Sequence, residues 1–364
     1  MTTPGRSKYA GPEVALPRIT TVESLHAYLY AALQLEHATI PPYLTALYSI
    51  HQGTNLDAFM VIRVVAVEEM LHLTLAANVM NATGGTADLT RSGFVPSYPA
   101  YLPDGEDDFQ VDLQRFSPEA VETFLNIERP AAAPEEEARV VANHNPRSAL
   151  LAAPDDRSER FYSIGEFYEE IERGLDHLHG ELGDDLFCGD PQRQITPEYY
   201  YSGGGEVVPV KDLDSAKAAL ELIAEQGEGH GGAIFDEEGE ISHYYRFEQL
   251  KLGRHYQPGD EPGTPSGPEL SVDWDAVYPV KRNCVLDDMR DAPELYQGAA
   301  AFNRQYADFL GLVTRAYTGE PSLLIDAVTE MFRLRDAMLG LIRYPLPGRE
   351  GLTAGPTFEV GGLS

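Results

Sequence analysis

The feature that most constrains this chain is a set of ionisable side chains placed where a helix should bury apolar ones. Leu25, Leu29 and Ala32 follow the i, i+4, i+7 spacing of one helix face, and the next position on that face is Glu36. The run LDAFMVIRVVAVEEMLHLTLAANVM (56–80) is apolar nearly all round, the mark of a helix buried on every side. Its inward stripe Ile62, Val65, Glu69, His72, Ala76 carries a carboxylate and an imidazole one turn apart. A buried, unpaired carboxylate costs several kcal/mol, so these groups need a compensating charge. A divalent or trivalent metal ion supplies it. Without one, Glu69 and His72 must form a hydrogen-bonded core pair and Glu36 must find an arginine.

Composition narrows the chemistry. Only two cysteines occur, Cys188 and Cys284, so a metal here is held by oxygen and imidazole. The net charge of −31 over 364 residues repels phosphate backbones and anionic lipid surfaces, which argues against nucleic-acid and membrane partners. No Sec-type leader and no apolar run long enough to span a bilayer is visible, and the expectation is a soluble, cytoplasmic protein. There is no G-x-S-x-G, no P-loop and no Cys beside a His in a recognisable signature, so a hydrolase lacks its parts.

Along the chain, residues 1–19 read as an extended arm, and Thr20 with Glu23 has the spacing of a capping box that starts a helix running to about Ile50. Pro41-Pro42 predicts a kink in it. The second helix should stop before Gly84-Gly85. A long crossover follows over 83–160, with a strand-like FQVDL (109–113), a short helix in SPEAVETFLNIERP (117–130) and an acidic Ala/Pro stretch. Helical patterns return at 163–178, 214–229 and, shorter, 240–253. After a Gly/Pro-rich stretch (257–268) come two amphipathic helices, 293–319 and 321–344, in a C-terminal extension covering 269–364; the bundle itself covers 20–256. The stripes Phe309, Leu312, Val313, Ala316 and Leu324, Val328, Phe332, Leu339 must be covered, by the bundle or by a second copy in a homodimer.

Bundles that chelate two transition metals take a carboxylate from each of two helices and Glu-x-x-His from the other two. Glu36 and Glu69-x-x-His72 supply the first half. For the second, an antiparallel pairing of 163–178 with 214–229 brings Glu166 level with Glu225 and Glu228, and His243 lies on a stripe with Phe247 and Leu250. Glu166 also suits a capping box with Ser163, and Glu240 heads a second Glu-x-x-His with His243. Glu68 is turned about 100° from Glu69 and reads as a supporting acid. His26, His37, His177, His179, His230 and His255 read as surface or supporting residues, and Tyr43, Tyr244 and Tyr245 as packing. The Gly-rich stretch between Glu228 and His243 must be ordered before it can bind, so the half built on Glu69 and His72 should hold metal more tightly.

LEHATIPPYLTALYSI, VEEMLHL, SIGEFYEEI, IAEQGEG and SHYYRFEQL, with YPAYLP, FLNIERP, YPVKRN, AFNRQYADFL and AGPTFEV, resemble the ferritin-like domain of iminophenyl-pyruvate dimer synthases, enzymes of bisindole pigment pathways. The resemblance implies a mainly α protein: a ferritin-like four-helix bundle with a long crossover insertion and added C-terminal helices. It implies metal ligands at Glu36, Glu69, His72, Glu166, Glu225, Glu228 and His243. It also implies oxidases that couple two imines formed from an aromatic amino acid, although those enzymes are considerably longer than this chain. The expectation is a non-haem oxidoreductase that uses one or two metal ions, iron first, with manganese or copper as alternatives, to activate dioxygen or peroxide against a small organic substrate. The competing expectations are a ferritin-like storage protein without organic turnover and a scaffold with internal polar pairs.

Overall fold

The first helix begins because Thr21 Oγ1 accepts from the Ser24 amide at 3.1 Å while Ser24 Oγ accepts from the Thr21 amide at 3.1 Å. This is a capping box one residue later than the Thr20/Glu23 spacing suggests. A hydroxyl at the third helical position closes the box, and Glu23 sits in the exposed first turn. The computed structural model describes residues 18–102, 109–130, 164–201, 203–229, 232–236 and 239–360. Most of the expected 1–19 arm, the acidic Ala/Pro stretch, Ser163, His230 and the side chain of Glu228 lie outside the described residues.

Helix α1 spans Val22–Ser49 and α2 spans Leu56–Ala82. They are antiparallel: His26 reaches Thr83 at one end, Glu36 meets His72 midway, and a short link joins Ser49 to Leu56 at the other. Pro41 and Pro42 lie inside an uninterrupted α1. Pro42 has no N–H to give the Ala38 carbonyl one turn back, and that carbonyl accepts instead from the Tyr98 hydroxyl at 2.8 Å. The crossover thus repairs the bond that the proline removes. Beyond α2, the amides of Gly84 and Gly85 donate back to Asn81 and Met80 carbonyls, ending the helix where the glycines predict.

In the crossover, Ser117 caps α3 (Pro118–Ile127), accepting from the Ala120 amide at 3.2 Å. The FQVDL segment forms a single antiparallel bridge, Val111 to Ala100, and no strand. Helices α4 (Ile164–Leu182) and α5 (Leu213–Glu228) complete the bundle as an antiparallel pair, with Lys217 to Asp176 at 2.7 Å fixing their register. Helix α6 (His243–Leu252) docks through a trio of rings: Tyr43, Phe124 and Phe247 meet at centroid distances of 4.7, 5.4 and 5.0 Å. That trio ties α1, α3 and α6 together beside the polar centre.

Helices α7 (Pro293–Tyr317) and α8 (Leu323–Ile342) share the bundle's hydrophobic core. Asn81 of α2 donates to the Tyr317 carbonyl at 2.8 Å, satisfying the end of α7. The stripe expected on α8 is rotated: Ala327, Leu334, Met338, Leu341 and Ile342 are buried, while Phe332 is 52% exposed. Apolar residues occur on more than one face of α8, and packing against α7 selects among them. No helix of the described residues is long and apolar enough to cross a membrane.

The proline repair is testable by a double-mutant cycle. Tyr98→Phe leaves the Ala38 carbonyl without a donor and should cost about 1 to 2 kcal/mol in urea unfolding. In a Pro42→Ala background residue 42 regains its N–H, and the same substitution should cost measurably less.

Candidate metal centre

Five buried side chains converge between α1, α2, the end of α3 and the start of α6. Glu36, Glu69 and His72 form one group able to hold a metal ion, and Glu69, Glu128 and His243 form a second. Glu69 belongs to both. His72 Nδ1 faces Glu36 Oε2 at 3.3 Å and Glu69 Oε1 at 3.8 Å. His243 Nδ1 faces the same Glu69 oxygen at 3.0 Å and Glu128 Oε2 at 3.4 Å. The two imidazoles lie nearly parallel, with ring centroids 5.4 Å apart.

Each carboxylate gives one oxygen to a hydroxyl and turns the other to an imidazole. Tyr168 donates to Glu36 Oε1, Thr39 to Glu69 Oε2 at 2.8 Å, and Tyr43 to Glu128 Oε1. Each imidazole is held from behind in the same way. His72 Nε2 donates to the Gln226 amide oxygen at 2.9 Å, and Gln226 donates on to the Gly204 carbonyl at 2.6 Å. His243 Nε2 donates to Glu68 Oε2 at 2.9 Å. With the far nitrogens so occupied, both Nδ1 atoms face the centre, where they would present lone pairs to a metal once deprotonated, the usual means of orienting metal-binding histidines. Gly204, at φ +76°, lets its loop pass so close to α2 that an added Cβ would meet Glu68 Cγ at 2.8 Å.

The cluster's electrostatics are those of a site built for positive charge. Burial first, then the charges of Glu128 and Glu36, raises Glu69 from 4.5 to about 7. Burial disfavours a charged His243, yet Glu128, Glu68 and Glu69 hold its pKa well above the ordinary value; Glu36 and Glu69 likewise outweigh burial at His72. At Glu68 burial pushes upward, but the hydrogen bond and charge of His243 and the charge of Arg246 bring it below the usual value. These shifts favour protons on the imidazoles when no metal is bound, at the place where a cation's charge would otherwise sit. His243 Nδ1, despite Glu69 Oε1 at 3.0 Å and Glu128 Oε2 at 3.4 Å, has no hydrogen-bond partner of proper geometry. The oxygens flank the nitrogen's axis, an arrangement suited to donors sharing one ion.

Of the sequence-derived ligands, the fold brings together Glu36, Glu69, His72 and His243. Glu166 is half-buried on α4 and outside both groups; Tyr168, about 200° further round that helix, is the residue that reaches Glu36. Glu225 is also half-buried and outside both groups; it lies with Glu68, Gln226 and Arg246 around a small void beside the centre. Glu240 precedes α6 and pairs with Arg246 at 2.9 Å, so the second Glu-x-x-His is not a helical turn. His37 is buried against Tyr306, at 2.6 Å from its hydroxyl. Glu128 was missed. It lies just past the end of α3, where no periodicity marks an inward face, and its only trace was its place in FLNIERP.

A family model described as Ferritin-like matches residues 29–252, which span α1 to α6. The chain is 29% identical to dichlorochromopyrrolate synthase of Lentzea aerocolonigenes over 81% of its own length, and spans 29% of that relative. A crystal structure of a ferritin-like protein from Caulobacter vibrioides superposes with a TM-score of 0.59, covering 90% of this chain and 97% of that one at 20% identity.

The pKa directions predict how the metal-free protein responds to pH. Glu69 takes up a proton more readily folded than unfolded, so stability is lost as pH rises from about 4.5 through about 7, and the raised His243 acts in the same sense above its ordinary value. Urea midpoints of chelator-treated protein should fall between about pH 5 and 8, and Glu69→Gln should flatten the fall.

Proposed function

The chain belongs to the ferritin-like family, and from that membership we propose that it is a non-haem metal-dependent oxidoreductase acting on a small organic molecule with dioxygen or peroxide as oxidant. One observation carries the reading: a single buried carboxylate oxygen, Glu69 Oε1, stands between two imidazole Nδ1 atoms, each completed by a further carboxylate. Such an arrangement would let these five residues hold one or two ions. Iron is the first assignment and manganese the next, because three carboxylates and two imidazoles without a thiolate favour ions of intermediate hardness; copper remains an alternative. Bound there, the ions would supply one-electron redox steps that protein side chains alone do not.

The chain's own residues have separable tasks. Glu36, Glu69, Glu128, His72 and His243 would hold the metal. Tyr168, Thr39 and Tyr43 fix one oxygen of each carboxylate, and Gln226 and Glu68 fix the imidazole planes. The surrounding Phe124, Phe247 and α2 apolar residues exclude water, which keeps the charges strong. The relative named as a synthase supports turnover of an organic compound over simple storage, and an amino-acid-derived imine is the substrate class proposed.

The two groups are not equally prepared. Glu36, Glu69 and His72 come from one helix hairpin, whereas Glu128 and His243 sit at the ends of α3 and α6, short helices that must dock first. Purified protein should carry at least one equivalent of iron or manganese. His72→Ala should lose all of it, and His243→Ala should keep up to one equivalent while losing dioxygen consumption. Metal analysis and an oxygen electrode decide this; a protein that binds none of these metals on reconstitution would refute the reading.

A further inference from the structure

A cavity of about 460 Å³ opens between the start of α1 and the end of α2, walled by Ala27, Tyr30 and Gln34 from α1, Met80 from α2, and Gly85 and Arg91 from the segment that follows. It is separate from the metal centre. None of the five cluster residues lines it, and Gln34 is turned about 200° from Glu36 around α1. We propose that this cavity binds a small organic monocarboxylic acid with an apolar body.

Three features point to that class. Arg91 is the cation: its guanidinium carbon lies 4.7 Å from the centroid of the Tyr30 ring, and among the described residues its one ion pair runs from Nε to Asp88 at a long 3.8 Å. The terminal nitrogens of its planar fork are thereby available for a carboxylate. Tyr30 is the second feature. It is only 6% exposed, and its hydroxyl is buried without a hydrogen-bond partner. What Tyr30 offers the cavity is its ring, which lies under the Arg91 guanidinium and forms part of the wall. The third is a mixed lining: Ala27, Ala31, Met80 and the Tyr30 ring are apolar, beside the polar His26, Gln34 and Thr86 and the exposed Glu23. The apolar part receives a hydrocarbon body. The volume falls in the range of small-molecule sites, roughly 300 to 1,000 Å³. In a chain of net charge −31, a carboxylate finds little other reason to settle, so specific binding here depends on Arg91.

Isothermal titration of the full chain with phenylacetate, its neutral counterpart phenylacetamide and inorganic phosphate tests the proposal. The expected result is one saturable site per chain for phenylacetate, with phenylacetamide and phosphate each weaker by about tenfold or more. Arg91→Met should weaken phenylacetate by a similar factor and leave phenylacetamide and the protein's metal content unchanged. Equal binding of acid and amide, phosphate binding as tightly as phenylacetate, phenylacetate affinity undisturbed in Arg91→Met, or no saturable binding at millimolar concentration would each overturn it. The metal reading stands or falls on other measurements.

Discussion

Three carboxylates share a volume from which water is excluded, and the rest of the molecule is arranged to make that tolerable. The simple remedy is absent: among the described residues no arginine or lysine joins Glu36, Glu69 and Glu128, and two imidazoles stand beside them instead. Hydroxyl donors from Tyr168, Thr39 and Tyr43 satisfy one oxygen of each acid and leave the second. Polar satisfaction is therefore partial by construction. The unsatisfied oxygens all face the two Nδ1 atoms, so the remaining electrostatic demand is concentrated at one place. A core evolved for stability alone would replace such a set by packed apolar residues at little cost.

Keeping the acids there requires elements that local propensity would not assemble. The Tyr43, Phe124 and Phe247 rings hold α3 and α6 against α1, and two residues at helix ends, Glu128 and His243, reach the centre only because those short helices are docked. Tyr43 serves both purposes, with its ring in the trio and its hydroxyl on Glu128. The Pro41-Pro42 pair lies a turn beyond Glu36, and its cost is offset by Tyr98 from the crossover. Packing and polar chemistry are thus coupled through the same few side chains.

What was legible in the sequence follows from this division. Glu36, Glu69 and His72 stood out because each interrupts an apolar stripe in a long helix, where period 3.6 specifies direction. The order of the helices was legible for the same reason. Glu128 was not, since it follows the last turn of a ten-residue helix and interrupts nothing. Tyr168 and Gln226 were overlooked because an amphipathic helix offers several polar positions near its boundary, and only the rotation of α4 and α5 on the bundle decides which faces inward. The α8 stripe failed likewise: Phe332 is as apolar as Leu334, and tertiary packing chose the latter.

Glu68 and Glu69 show how finely the fold divides labour between identical residues. They are adjacent on α2, differ in direction by about 100°, and are both buried, yet their proton affinities move in opposite senses. Glu68 faces His243 Nε2 and Arg246, positive partners that keep it ionised and let it orient the imidazole. Glu69 faces two other carboxylates, and its charge is penalised until a cation arrives. A permanently charged acid suits the task of holding a histidine in one tautomer. An acid whose ionisation is costly without a cation suits the task of binding one, because the cation takes the place of the proton and its binding becomes pH-dependent. Environment, not residue type, assigns the two roles, and the sequence pair Glu68-Glu69 places both on a single turn of helix.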